Sequence, residues 1–234
     1  LVDAARNTQP PLDGVASLRR TWPIQGFAER RPLLTPPFPE LASAVRAVGH
    51  ARLAYDLDGP ARRYVPFVEV AGKVVPSLPV AAVVAATGVT PDRVSATRSM
   101  LHLGERKVPW IEQVVPDFYG PPQTVYRPLV PFRGPTMRAD GTPTFPSYSF
   151  QDLVLAEQQI LDGQIPHLDP ATFKDQIVVV GVSAEGLKDT FTTPFGEGQM
   201  SGAEFHANVI DALLGGRSIA PAAPWQRGAA VLGL

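Results

Sequence analysis

Cysteine is absent from all 234 residues. That removes disulfides, cysteine-ligated zinc, iron–sulfur clusters and thiol nucleophiles at once, and it fits an oxidising compartment. An excess of charge of one sign is lacking too: 21 basic residues against 22 acidic leave a net charge of −1. Neither a nucleic-acid-binding surface nor a polybasic membrane patch is built that way. No apolar stretch approaches the roughly 18 residues that a membrane-spanning helix needs. Phosphate-binding signatures are missing: no Gly-Lys-Ser/Thr occurs, and Gly196-Glu197-Gly198 lacks a third glycine. The four histidines (His50, His102, His167, His206) show no metal-ligand spacing, so neither a metal nor a cofactor is expected.

What is present is a globular composition, 44% apolar and 18% charged, long enough for one large domain or two small ones. Proline is abundant, 26 residues, which breaks helices and keeps strands short or at edges. Residues 1–38 read as a proline-rich lead-in with at most a short helix at Val15–Arg20. Leu41, Ala44, Val45 and Val48 place a helix at about Pro39–Val48, with Gly49 as its cap. Strands are expected at Arg52–Tyr55, Tyr64–Val70 and Lys73–Val75, the last two forming a hairpin about Ala71-Gly72. Ser77 caps a helix from Leu78 to about Thr87, stopped by Gly88. Residues 90–124 read as a long surface excursion with extended pieces at Met100–Leu103 and Val108. Thr124–Phe132 resumes as a strand near an edge.

The last third carries the clearest pattern. Ser149-Phe150-Gln151-Asp152 has the form of a capping box and opens a helix that stops at Gly163. Gln176–Val182, with the β-branched run Ile177–Val180 at its centre, reads as a strand buried on both faces in a parallel sheet. Glu204–Leu214 is a helix with Phe205, Val209, Ile210, Leu213 and Leu214 turned inward, ended by Gly215-Gly216. The order implies an α/β fold: a mixed, largely parallel sheet covered by helices, with proline-rich loops and a hairpin. Residues 39–220 form the expected domain. Residues 221–234 form a connector, and the apolar run from Gly228 to Leu234 after Trp225 and Arg227 suits the start of a transmembrane helix.

Candidate chemistry gathers in the loop after the Val180 strand. The backbone from Ser183 to Gly186, with Ser183, Lys188, Asp189 and Thr190, suits a small polar ligand at the carboxyl end of a strand, and Arg133 joins them as a ligand contact. Gly181-Val182-Ser183-Ala184-Glu185 has glutamate where a nucleophile elbow needs its second glycine. Ser183 as the nucleophile of an extracytoplasmic hydrolase, with His206 as its base, therefore stands as an alternative. Asp56-Leu57-Asp58-Gly59 resembles the start of a calcium loop, but Pro60, Arg62 and Arg63 occupy positions that would need ligands. The residues read as a structural turn whose carboxylates pair with Arg62 or Arg63.

Taken together, several strings resemble a known module. They are Pro39-Glu40-Leu41, Ala47-Val48-Gly49-His50, Asp56–Gly59, Arg62–Pro66 and Pro76-Ser77-Leu78. Later come Phe132-Arg133-Gly134-Pro135, Ser149–Leu153, Ile177–Ala184, Gly186–Asp189, Thr193-Pro194 and Glu204–Asn208. In order and spacing, over about residues 39–216, they are similar to the CHASE-two domain, the second class of extracellular sensory domains associated with cyclases and histidine kinases. The family opens with an apolar strand, a helix and a strand ending in Phe-Asp, and residues 1–38 show no such pattern.

The resemblance implies a receptor module outside the cytoplasmic membrane, anchored by flanking segments beyond this chain. Its output would be a nucleotide cyclase or a histidine or serine/threonine kinase. It brings no catalytic residues, and it implies an unknown small-molecule or envelope-protein stimulus, a homodimer, and no nucleic acid. A scaffold or dimerisation domain that binds no small molecule is the other alternative.

Overall fold

The computed structural model describes residues 22–117, 120–182, 189–195 and 199–222. The chain divides into two compact units: residues 1–132 with 208–234, and residues 133–207.

The first unit begins with strand β1 (Glu29–Arg30), helix α1 (Pro39–Ala44), the hairpin β2 (Leu53–Ala54) and β3 (Arg63–Tyr64), and strands β4 (Phe67–Val70) and β5 (Lys73–Pro76). Strands β4 and β5 pair antiparallel from Phe67↔Pro76 to Val70↔Lys73. Two residues connect them, Ala71 at φ 50° and Gly72 at φ 75°. That is the double left-handed conformation that matches strand twist in a two-residue hairpin. Strand β1 lies parallel to β4, Glu29 opposite Val68. Ala42, Ala54, Val65, Val68, Val70 and Val75 form the core of this region, with Leu34 and Val48 against it. Full burial of each valine side chain contributes about 1.5–3 kcal/mol.

Residues 22–31, expected as part of a loose lead-in, supply buried Trp22, Ile24 and Glu29 as well as β1. Helix α1 ends at Ala44, short of the expected Val48, and buries only Ala42. Gly49 caps nothing. A Cβ there would stand 2.6 Å from the backbone of Leu78, so glycine lets residues 49–50 lie against the start of the next helix. That helix, α2 (Leu78–Thr87), follows the sequence closely: Ser77 Oγ accepts from Val80 N–H, and Gly88 ends it in the left-handed conformation.

Residues 90–124 are not a surface excursion. After a 3₁₀ turn at Pro91–Arg93 come β6 (Val94–Ala96), β7 (Met100–Leu103) and β8 (Arg106–Pro109), an antiparallel meander. Then β9 (Ile111–Asp117) pairs with β10 (Gly120–Arg127). The extended pieces expected at Met100–Leu103 and Val108 fall in β7 and β8, whereas β6 and β9 were not expected. Pro109 ends β8, and Pro116 stands at an exposed position of β9, whose other side carries no partner strand among the described residues. Phe27 stacks on Trp110 here and Tyr126 lies tilted against both, the ring centroids 5.0–5.6 Å apart.

The second unit holds α3 (Phe150–Leu161), the hairpin β11 (Thr190–Thr192) and β12 (Gln199–Ser201), and the start of α4 (Gly202–Leu214), which continues into the first unit. Ser149 Oγ accepts from Gln151 N–H at the head of α3. Gln176–Val182 is not a strand. Ile177, Val178, Val180 and Val182 are exposed, because no strand of this unit's described residues pairs with the segment. The largely parallel sheet is thereby corrected. Among the described residues β1/β4 is the parallel strand pair, and the other pairs are antiparallel. Leu214 is also outside the core, whereas Phe205, Val209, Ile210 and Leu213 are buried as expected. No helix of the described residues is long and apolar enough to cross a membrane. The expected helix at Val15–Arg20 and the apolar run 228–234 lie outside the described residues.

Candidate functional site

Strand alternation turns Arg30 outward and Glu29 inward, where only 2% of its side chain stays accessible. A buried carboxylate needs charged or hydrogen-bonding partners to stay ionised. Glu29 has three guanidinium partners, from three separate parts of the chain. Arg127, at the end of β10, donates to Oε2 through Nη2 at 2.7 Å and Nε at 3.1 Å. Arg52, just before β2, donates to Oε1 through Nε at 3.1 Å. Arg31, one step past β1, pairs with the same Oε1.

Strand β1 is held on its other side by a side chain. Gln123 of β10 is buried, its Oε1 accepts from Arg30 N–H at 2.9 Å, and its Nε2 donates to the Arg30 carbonyl at 3.3 Å. One amide thus satisfies both backbone groups of Arg30, as a neighbouring strand would.

The cations of this cluster outnumber its carboxylates. Burial and the charges of Arg52 and Arg127 push the Arg31 guanidinium down to about 10, with Asp117 opposing. Arg52 and Arg127 are lowered as well, first by burial; Arg52 also feels Arg127, and Arg127 feels Arg63. Arg31 Nε is buried with no hydrogen-bond partner among the described residues. Exposure is graded across the cluster: 8% for Arg127, 22% for Arg31 and 41% for Arg52.

Beside it, the Asp56–Gly59 turn closes with Gly59 N–H on the Asp56 carbonyl. Asp56 pairs with Arg62 at 3.2 Å and with Arg63, and Asp58 with Arg62 at 2.7 Å. Arg62 holds the Asp58 carboxyl below its ordinary range.

In the second unit the expected ligand loop is partly described. Ser183 and Lys188 lie outside the described residues. Asp189 stands over the start of α4: its carbonyl accepts from Gly202 N–H at 2.8 Å. A Cβ on Gly202 would lie 2.2 Å from the Asp189 carboxylate, so any larger residue there would have to displace that side chain. A carboxylate there meets the positive end of the helix dipole. Ser201 Oγ accepts from Glu204 N–H at 3.1 Å, and Thr190 pairs with Ser201 across β11/β12. Thr136 Oγ1 donates to Glu204 Oε2 at 2.8 Å. Burial pushes the Glu204 carboxyl up and the His206 imidazole down, the latter against the pull of Asp189. Arg133 stands over the Phe145 ring, 5.7 Å from its centroid. Asp189, Thr190, Ser201 and Glu204 therefore meet where the β11/β12 hairpin joins α4.

Sequence reasoning missed the Glu29 cluster, whose members are spread from residue 29 to residue 127. The available signals were arginine outnumbering lysine 17 to 4 and an acidic residue directly after Phe27-Ala28. A cleft lined by Trp22, Arg46, Val48, Pro76 and Val84 has about 10 Å³ of free space, room for one water.

A family model described as CHASE2 domain matches residues 3–234, including the lead-in that the sequence strings left uncovered. No curated protein and no solved structure matches the chain.

Proposed function

The chain belongs to the CHASE2 domain family, and on that premise we propose that it is the extracytoplasmic input domain of a membrane-bound signal transducer. CHASE2 domains are sensory extracellular domains of signalling proteins, and a match over nearly the whole chain is the observation that carries the reading. The proposed output is a cytoplasmic nucleotide cyclase, with a histidine or serine/threonine kinase as the alternative. The chain itself is read as an input module and not as an enzyme. A stimulus acts by binding one of two arrangements more tightly than the other. Helix α4 and residues 219–227 are the proposed route toward the membrane. Asp189 and Thr190, with Ser183, Lys188 and Arg133, are proposed as ligand contacts.

The test measures cyclic nucleotide synthesis and autophosphorylation in membranes that carry the intact protein, beside a version lacking residues 3–222. An output that changes on deletion supports the reading, and one that is indifferent to it overturns it. A reporter enzyme active only outside the cytoplasm, fused after residue 222, is expected to be active.

One observation favours a role in assembly alongside sensing. Phe150, Val154 and Leu161 share one face of α3 and are all exposed. Homodimerisation through such a face is measurable by sedimentation, and Val154→Asp should then shift the protein toward monomer.

A further inference from the structure

We propose that Arg31 and Arg52, backed by Arg127, form a binding site for a small oxyanion, a carboxylate or a phosphate. Three guanidiniums converge on one buried carboxylate, and a carboxylate offers about four lone-pair positions to a set of fifteen N–H donors. Glu29 accepts from Arg127 on Oε2 and from Arg31 and Arg52 on Oε1. The charges around it do not restore balance. Asp56 and Asp58 are matched by Arg62 and Arg63, and Asp117 is the remaining carboxylate acting on Arg31. The belt thus has five arginines and four carboxylates, and Arg31 Nε is buried with no hydrogen-bond partner among the described residues.

The graded exposure gives the site a direction. Glu29 and Arg127 close its floor, while Arg31 and Arg52 open to solvent, Arg52 with two-fifths of its side chain accessible. An oxyanion held by the outer guanidiniums takes the surplus charge and uses the planar forks that bind carboxylate and phosphate in bidentate fashion. It also bridges the residue after β1 to the residue before β2, so occupancy would report on how β1 is held. That the anion serves as a stimulus rests on the sensory reading above; that it binds does not.

The experiment titrates the full chain with inorganic phosphate and, separately, with succinate, followed by calorimetry and by backbone amide shifts. Saturable binding is expected for one or both, with shifts centred on residues 29–31, 52 and 127. Affinity should fall at least about tenfold in Arg52→Gln and stay unchanged in Lys107→Gln, an exposed cation on β8. The tighter of the two anions identifies the class. If Arg52→Gln fails to fold by circular dichroism, Arg31→Lys serves in its place, since it keeps the charge and loses the fork. No saturable binding of either anion, or equal affinity in wild type and the arginine variant, overturns the proposal. The signalling assay of the intact protein is a separate readout, so a failed sensory reading leaves this titration interpretable.

Discussion

Glu29 and Arg127 stand 98 residues apart in the chain, and the guanidinium grips Glu29 Oε2 with two hydrogen bonds, at 2.7 and 3.1 Å. The pair joins a two-residue strand to the end of the β9/β10 hairpin, and both partners are buried. Its energetic weight follows from what removal of either partner leaves behind.

Glu29→Gln should cost about 3–5 kcal/mol, because three arginines then lose their buried counter-charge. Urea denaturation measures it as a lowered midpoint. The double variant Glu29→Leu/Arg127→Met should recover only part of the loss, since it removes the most buried guanidinium while Arg31 and Arg52 still lack their counter-charge. A loss below about 1 kcal/mol in the single variant would show a cluster better solvated than its burial implies.

Tyr64→Phe should be neutral or stabilising by up to about 1 kcal/mol. The Tyr64 hydroxyl is buried with no hydrogen-bond partner among the described residues, and burial pushes its ionisation above the ordinary tyrosine value. Removing an unsatisfied polar group costs no hydrogen bond. A loss of stability beyond about 1 kcal/mol would contradict that account.

Gly49→Ala should destabilise by about 1–3 kcal/mol, since the new Cβ meets the Leu78 backbone rather than a movable side chain. Gly120→Ala is the control. Its Cβ would meet only the Asp117 carboxylate at 3.9 Å, and its effect should stay within about 0.5 kcal/mol.

Stability should fall as pH drops below 6.5, the ordinary histidine value, because burial lowers the His206 pKa in the folded state. Below 6.5 the unfolded chain takes a proton that the folded chain still refuses. The slope is at most about 1.4 kcal/mol per pH unit and ends once pH passes the lowered folded value. His206→Gln should remove it from a series of urea melts. Glu204 acts in the opposite sense: its pKa is raised above 4.5, so its contribution is complete below 4.5 and is lost as pH rises through the folded value. If the pH profiles of wild type and His206→Gln coincide, His206 is not the group responsible.

Local chemistry was legible in the sequence, and distant pairing was not. The Ala71-Gly72 turn, the Ser77 and Ser149 caps and the Gly88 stop depend on residues within a few positions of each other, and the structure has each of them. In the β6–β8 meander, Met100–Leu103 and Val108 read as extended, but β6 and the pairing did not show, because strands of three or four residues are too short for alternation to stand out. Ile177–Val180 misled in the other direction. An apolar β-branched run describes what a segment suits, whereas a strand also needs a neighbour to bond, and the described residues of its unit provide none. In the ligand loop, Asp189 and Thr190 were named from sequence, but Glu204 and Thr136 join that corner through contacts no spacing rule contains.

The place of β1 also sets an order of events. The β4/β5 hairpin closes across two residues and can form early, by local diffusion. Strand β1 must bring Glu29 to Val68 across the segment that holds α1, β2 and β3, and its ionic grip waits for a β10 that lies further on still. Such closures lose chain entropy before any contact compensates it. Strand β1 is therefore expected to dock late and leave early, and weakening its arginine clasp should quicken unfolding while leaving the folding rate nearly untouched, as stopped-flow folding and unfolding rates of Arg52→Gln would measure.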